Sequence, residues 1–222
     1  MNYEKRFDEV LQKIEKIRLQ TNEHQIIKIV AISKYVDTNA IKALYSIGQR
    51  AFGENKVQDL KQKSKQLEDL PIEWHFVGRL QTNKINSLLE IKPSLIQSID
   101  SYQKAVEVNK RAEQKKIKQN ILLQINSAKE ETKAGVMPET AIEEYLKIKE
   151  LKNLIPKGVM SIGAHTTNQK DIIKSFETTY NIFEQLKKYR ASICSMGMSN
   201  DFELAIKCGS NMLRLGSILF KG

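Results

Sequence analysis

Residues able to do chemistry gather near the two ends of this chain. Residues 28–34, KIVAISK, form a β-branched, apolar run that closes on a lysine. With side chains alternating at period 2, Val30, Ile32 and Lys34 share one face, and Ile29, Ala31 and Ser33 share the other. A lysine on the apolar face of a buried strand is unusual. Desolvation disfavours its ammonium form and leaves a neutral amine that can attack a carbonyl. Taken alone, Lys34 reads as snorkelling out of the strand end, and only the other end of the chain changes that. Toward the other terminus lie SMGMSND at 195–201 and RLGS at 214–217. There Gly197, Ser199, Gly216 and Ser217 offer the backbone N–H groups and hydroxyls that hold anions at helix starts, although turns and caps use the same residues. Arg214 alternates with Met212 and Gly216, so it either points inward or forms a salt bridge at a rim.

A frame must bring those ends together. Strand patterns fall at 27–33, 50–53, 74–78, 95–99, 121–125, 158–162, 193–196 and 212–215. Helical patterns fall at 3–20, 38–47, 57–67, 82–90, 101–115, 138–152, 169–188 and 200–207. Ser101 is placed as an N-cap, Pro138 in a first helical turn, and Asn200 with Glu203 as a capping pair. Alternating β and α units imply a parallel sheet with helices outside, and eight of them predict an α/β fold, a single (β/α)8 TIM-type barrel over 1–222 with an extra N-terminal helix. A doubly wound sheet would carry a Gly-rich fingerprint after its first strand, and none is present. In a barrel, reactive groups collect at the C-terminal rim, and the loops after strands 7 and 8 often take phosphate. That rim gathers Lys34, GEN at 53–55, GRLQTNK at 78–84, Asn126, His165 and the two Gly/Ser loops.

Composition narrows the classes. A 41% hydrophobic content over 222 residues supports a full core. The formal charge of +10 is spread along the chain, densest at 110–118 and 187–190, both in helical patterns and without a nucleic-acid signature. The two cysteines lack metal-like spacing and suit a reducing compartment. The charged N-terminus lacks the apolar region of a signal peptide, and no apolar run approaches the ~20 residues of a membrane span. The expectation is a cytoplasmic protein with no nucleic-acid or membrane partner.

An amine on strand 1 facing a phosphate cradle beyond strands 7 and 8 suits a ligand carrying both an aldehyde and a phosphate. Pyridoxal 5'-phosphate (PLP), bound as a lysine Schiff base, is the common cofactor of that kind. An inward Arg214 would stay charged and only donate, so it would leave the pyridine nitrogen unprotonated and weaken the ring as an electron sink. The chain also resembles the pyridoxal phosphate homeostasis protein family, whose barrel is similar to the N-terminal domain of alanine racemase and to fold-type III decarboxylases. The resemblance runs through VAISK at 30–34, FGENKVQDL at 52–60, WHFVGRLQTNK at 74–84, SID at 98–100, INSAKEETKAG at 125–135, GVM at 158–160, SMGMSNDFELAI at 195–206 and RLGSILFKG at 214–222. It implies an internal aldimine at Lys34, Arg214 at the pyridine nitrogen, Asn55 beside the ring, and Ser199, Gly216 and Ser217 on the phosphate. The family usually has threonine where Ser217 stands, and the hydroxyl is retained. GAHT at 163–166 departs from the usual apolar, Pro-containing continuation, so His165 is assigned no role.

Racemisation at an amino-acid Cα needs proton donors on both faces of the bound substrate, and alanine racemase draws one from a further domain. Lys34 serves one face, no second group is apparent, and this sequence ends at Gly222. The expected function is therefore PLP homeostasis: holding the vitamin, buffering or delivering it, with apo PLP enzymes as candidate partners and a monomer or weak dimer as the assembly. No metal is implied. The alternatives are a PLP-dependent racemase or decarboxylase, and a Schiff-base aldolase or phosphate-binding barrel. His75 reads as a satisfied core histidine, Lys84, Glu131 and Lys133 as exposed rim residues, and Met196 and Met198 as packing at the barrel top.

Overall fold

The computed structural model describes residues 3–220; Met1, Asn2 and the motif's final Lys221 and Gly222 lie outside the described residues. Helix α1 (Tyr3–Thr21) leads into β1 (Lys28–Ile32), α2 (Thr38–Ser46), β2 (Ala51–Glu54), α3 (Val57–Gln66), β3 (Glu73–Phe76), α4 (Ile85–Ile91), β4 (Leu95–Ile99) and α5 (Tyr102–Gln114). The second half continues through β5 (Gln119–Ile125), α6 (Ala141–Lys149), β6 (Leu154–Ser161), α7 (Gln169–Leu186), β7 (Ile193–Ser195), α8 (Phe202–Lys207), β8 (Met212–Leu215) and α9 (Ser217–Phe220). The strands pair in chain order, all parallel, and β8 closes on β1, making a (β/α)8 TIM-type barrel.

Period-2 alternation explains which side chains go where. Val30, Ala51, Leu95, Leu122, Met160 and Met212 fill the barrel interior, with Ile32 packed on them. Ile29, Ala31, Phe52, Trp74, Phe76 and Leu213 turn outward into the larger core beneath the helices. Lys28 thus opens β1 at one end of the barrel, and Lys34 lies just past its end at the other. The amphipathic α1 buries Phe7, Val10, Ile14 and Ile17 and packs on α8 and α9, where the Tyr3 ring meets Phe220 edge-on. Each such side chain contributes about 1.5–3 kcal/mol when fully buried, enough to pin the short α9.

Several local expectations move. β1 stops at Ile32, which leaves Lys34 in the following turn. Pro138 precedes α6, because Val136 is bonded to β5 (Val136 N–H to Gln124 O, 2.9 Å; Asn126 N–H to Val136 O, 2.9 Å) and keeps the chain extended until then. Asn200 and Glu203 form no capping pair: Asp201 precedes α8, and its Oδ1 accepts the Met198 N–H at 2.6 Å instead. β5 starts earlier than its apolar run, since the Gln119 and Asn120 amides donate to Pro93 O and Ser94 O. Met196 is buried as expected, but Met198 is partly exposed at the rim. At Gly158, φ is +149° and a Cβ would stand 1.9 Å from Ile193 O, so only glycine lets β6 approach β7 there.

Candidate functional site

Beyond the C-terminal ends of the strands opens a cavity of about 840 Å³. Lys34, Asn55, Ser199, Arg214, Gly216 and Ser217, the six residues singled out in the sequence, all line it. Tyr35, Val77, Met160, Ile162 and Met198 supply much of the apolar wall.

Lys34 is half-buried, with Nζ 4.8 Å from the centroid of the Tyr35 ring. Its turn is anchored from behind. Ser33 N–H donates to Gly53 O (3.0 Å) and Ser33 Oγ–H to Glu54 Oε1 (2.7 Å), while Lys63 Nζ from α3 donates to both Ser33 O and Glu54 Oε1 at 2.7 Å. Glu54 is fully buried, and Lys63 supplies the compensating charge that makes this burial tolerable. Asn55 follows directly, and Gly78, just past β3, packs on its backbone: a Cβ there would sit 1.9 Å from Asn55 O.

Arg214 reaches the same cavity from β8 and is 5% exposed. Its Nη1 donates to Ser195 O (2.9 Å) and Ser195 Oγ (2.7 Å), and its Nη2 to Ser161 O (2.7 Å). Burial pulls its pKa down to about 10, against the opposing pull of Asp201, so the guanidinium stays charged at neutral pH. Burial in turn raises the Asp201 carboxyl above its ordinary range.

The start of α9 supplies the third wall. The N–H groups of Gly216 and Ile218 converge on one oxygen, Ser199 Oγ, at 3.1 and 3.3 Å. That convergence marks a place where backbone donors collect around an electron-rich atom.

Other rim residues turn away from the cavity. Gly197 is buried at φ +90°, its carbonyl accepting the Arg214 N–H (3.0 Å), and it serves the turn between β7 and α8. Asn126 Nδ2 donates to Glu130 O (2.8 Å) and Lys133 O (3.3 Å), which shapes its own loop. Lys133 is less exposed than expected: its Nζ donates to Glu130 Oε1 (2.8 Å) and Gly163 O (2.7 Å). His165 is exposed, and its backbone N–H donates to Glu130 Oε1 (2.9 Å). Local pattern points to none of Lys63, Ser161 or Ile218, and it reaches Glu54 and Ser195 only as members of the rim segments GEN and SMGMSND. An acidic residue just before Asn55 in a buried strand, with a lysine further along the next helix, was the one available signal.

A family model described as alanine racemase, N-terminal domain, matches residues 7–222. The chain is 54% identical over 222 residues to a pyridoxal phosphate homeostasis protein of Helicobacter pylori, covering 100% of this chain and 99% of that protein. It is 38% identical over 224 residues to the protein of the same name from Aquifex aeolicus, covering 99% and 98%. The solved structure of PipY from Synechococcus elongatus with PLP bound superposes with a TM-score of 0.81 at 29% identity, over 94% of this chain and 98% of that one.

Proposed function

The chain belongs to the pyridoxal phosphate homeostasis proteins within the alanine racemase N-terminal domain family, and on that premise we propose that it holds PLP through Lys34 and keeps the vitamin available to the cell rather than turning over amino acids. The observation that carries this is the meeting, in one cavity, of an amine, a buried guanidinium and a helix start. The donor set suits the group. PLP supplies an aldehyde for a primary amine, a pyridine nitrogen for a donor and a dianion for backbone N–H groups; when bound, it supplies an electron-withdrawing ring.

In this reading Lys34 Nζ attaches the aldehyde, in the turn braced by Ser33, Glu54 and Lys63. Arg214, which can only donate, faces the ring nitrogen and keeps it from gaining a proton. Ser199, Gly216 and Ser217 take the phosphate, and Asn55 lies against the ring. The whole of 1–222 acts as one binding domain, in the cytoplasm, with apo PLP enzymes as recipients.

Tyr35 is the residue that bears on a racemase reading. It is a second proton-carrying side chain in the cavity, but it adjoins Lys34 rather than opposing it. Proton exchange at both faces of a substrate Cα requires groups on opposite sides, so this pair favours retention over turnover.

The test is to add PLP to the purified chain, reduce with borohydride and map the modified peptide. Modification of Lys34 in a protein that absorbs visible light is expected; modification at another lysine, or a colourless protein, overturns the assignment. Incubation with single-enantiomer amino acids in deuterated water should give no sustained exchange at Cα, and sustained exchange would restore the enzyme reading.

A further inference from the structure

Among the apolar residues of the barrel interior, a file of polar side chains crosses it. His75 on β3, Gln97 on β4 and Ser195 on β7 are each fully buried. Unpaired, each would cost on the order of 1–3 kcal/mol, so their partners must lie in the file itself. Arg214 Nη1 donates to Ser195 Oγ (2.7 Å), Ser195 Oγ–H to Gln97 Oε1 (2.7 Å), and Gln97 Nε2 to His75 Nδ1 (2.9 Å). His75 Nε2 meets Glu73 Oε1 at 3.2 Å, and Glu73 accepts from Lys28 Nζ at 2.5 Å.

The two ends fix the direction of the whole file. A guanidinium can only donate, and an ionised carboxylate can only accept. Every hydrogen bond between them therefore runs from the mouth toward the floor, and His75 carries its proton on Nε2. A second proton on His75 would turn Nδ1 into a donor facing the Gln97 amide. Gln97 would then have to turn over, and Ser195 would receive two donors and lose its outgoing bond. The charged groups around His75 are Glu73 on its own strand, Lys28 on β1 and Lys157 on β6, which with it line a notch of about 440 Å³ in the barrel floor.

We propose that Gln97 and His75 are positioning residues for Arg214: acting through Ser195, they orient the guanidinium at the pyridine nitrogen, so the floor of the barrel tunes the cofactor held at its mouth. This rests on the reading that Arg214 faces that nitrogen. Neither residue lines the mouth cavity, and the file gives each an effect there that contact alone would not.

Two readouts decide it. In the protein loaded with PLP, Gln97→Leu should move the titration midpoint of the visible band by about one pH unit, the size expected when one close partner of a charged group is released. Ser195→Ala, a smaller change if Gln97→Leu fails to fold, should move it in the same direction. Tyr145→Phe removes a buried hydrogen bond off the file, to Pro156 O (2.9 Å), and should leave the midpoint in place. In the cofactor-free chain, ring-nitrogen NMR should find the His75 proton on Nε2, and Ser195→Ala should shift those resonances. A proton on Nδ1, or a midpoint unmoved by both file variants in well-folded protein, overturns the inference alone. Absence of any visible band in the wild type overturns the proposed function, and this inference with it.

Discussion

Lys28 opens β1 and Lys34 sits in the turn just beyond it, one at each end of the barrel, and their surroundings differ completely. At the floor, Lys28 is neutralised by Glu73, which also takes the His75 N–H, and the notch around them is lined mainly by polar and charged groups. At the mouth, Lys34 makes no ion pair among the described residues; its contact is the Tyr35 ring, in a cavity nearly twice as large and walled mostly by apolar side chains. A paired ammonium is a structural group. An amine with no carboxylate beside it is open to an incoming carbonyl. On the proposed function, the same residue type serves the fold at one end and chemistry at the other.

The largest effect should come from removing each lysine in turn. Lys34→Ala should abolish the visible band and the borohydride label at this site while leaving the melting temperature nearly unchanged. Lys28→Ala should keep the band and lower stability by about 0–1 kcal/mol, as for a half-exposed ion pair. If Lys28→Ala loses the band and Lys34→Ala keeps it, the contrast is reversed.

The floor has its own pH window. The His75 N–H, with Lys28 second, depresses the Glu73 pKa from 4.5 to about 2, while burial holds His75 below its ordinary value despite Glu73. The unfolded chain thus binds the proton first as pH falls. Stabilisation from Glu73 is complete above 4.5 and lost as pH falls toward 2. Urea midpoints taken across that window should fall more steeply for the wild type than for Glu73→Gln; parallel curves would remove Glu73 from the account.

Smaller effects belong to the mouth. Ser199→Ala withdraws the oxygen on which the Gly216 and Ile218 N–H groups converge and should weaken PLP binding by about tenfold or somewhat more, the worth of one hydrogen bond to a charged group. Equilibrium titration of the visible band would detect this, and an unchanged affinity would take Ser199 off the phosphate. Tyr35→Leu should change affinity by no more than a few-fold, since a cation over an exposed ring contributes about 0.5–1 kcal/mol. A loss as large as that of Lys34→Ala would make Tyr35 part of the binding chemistry.

Much of this was legible before any coordinates. All eight strands were located within a few residues, and β4 and β8 at both ends, because a buried strand writes its period into its own residues. The errors have different causes: Val136 bonded to β5 delays α6, whereas Asp201, spent on Met198 only three residues back, leaves α8 without the expected cap. The six residues around the mouth could be named because they fall in the strand-end loops that a barrel brings to one rim, and because the family resemblance implies a role for each, Asn55 above all. His75 was read as a satisfied core histidine, and so it is, but what satisfies it was invisible in the chain.

What the sequence determined alone is parity and order: which side chains face inward on each strand, and that eight β/α units follow one another with Lys34 early and Arg214 late. What only the tertiary structure decided is height: which inward residue of one strand stands level with which residue of another. Ser195 meets Gln97 across 98 positions of chain, and Arg214 meets Ser161 across 53. Alternation within a strand carries no information about the stagger between strands. That stagger is set by closure of the barrel, a property of all eight strands at once.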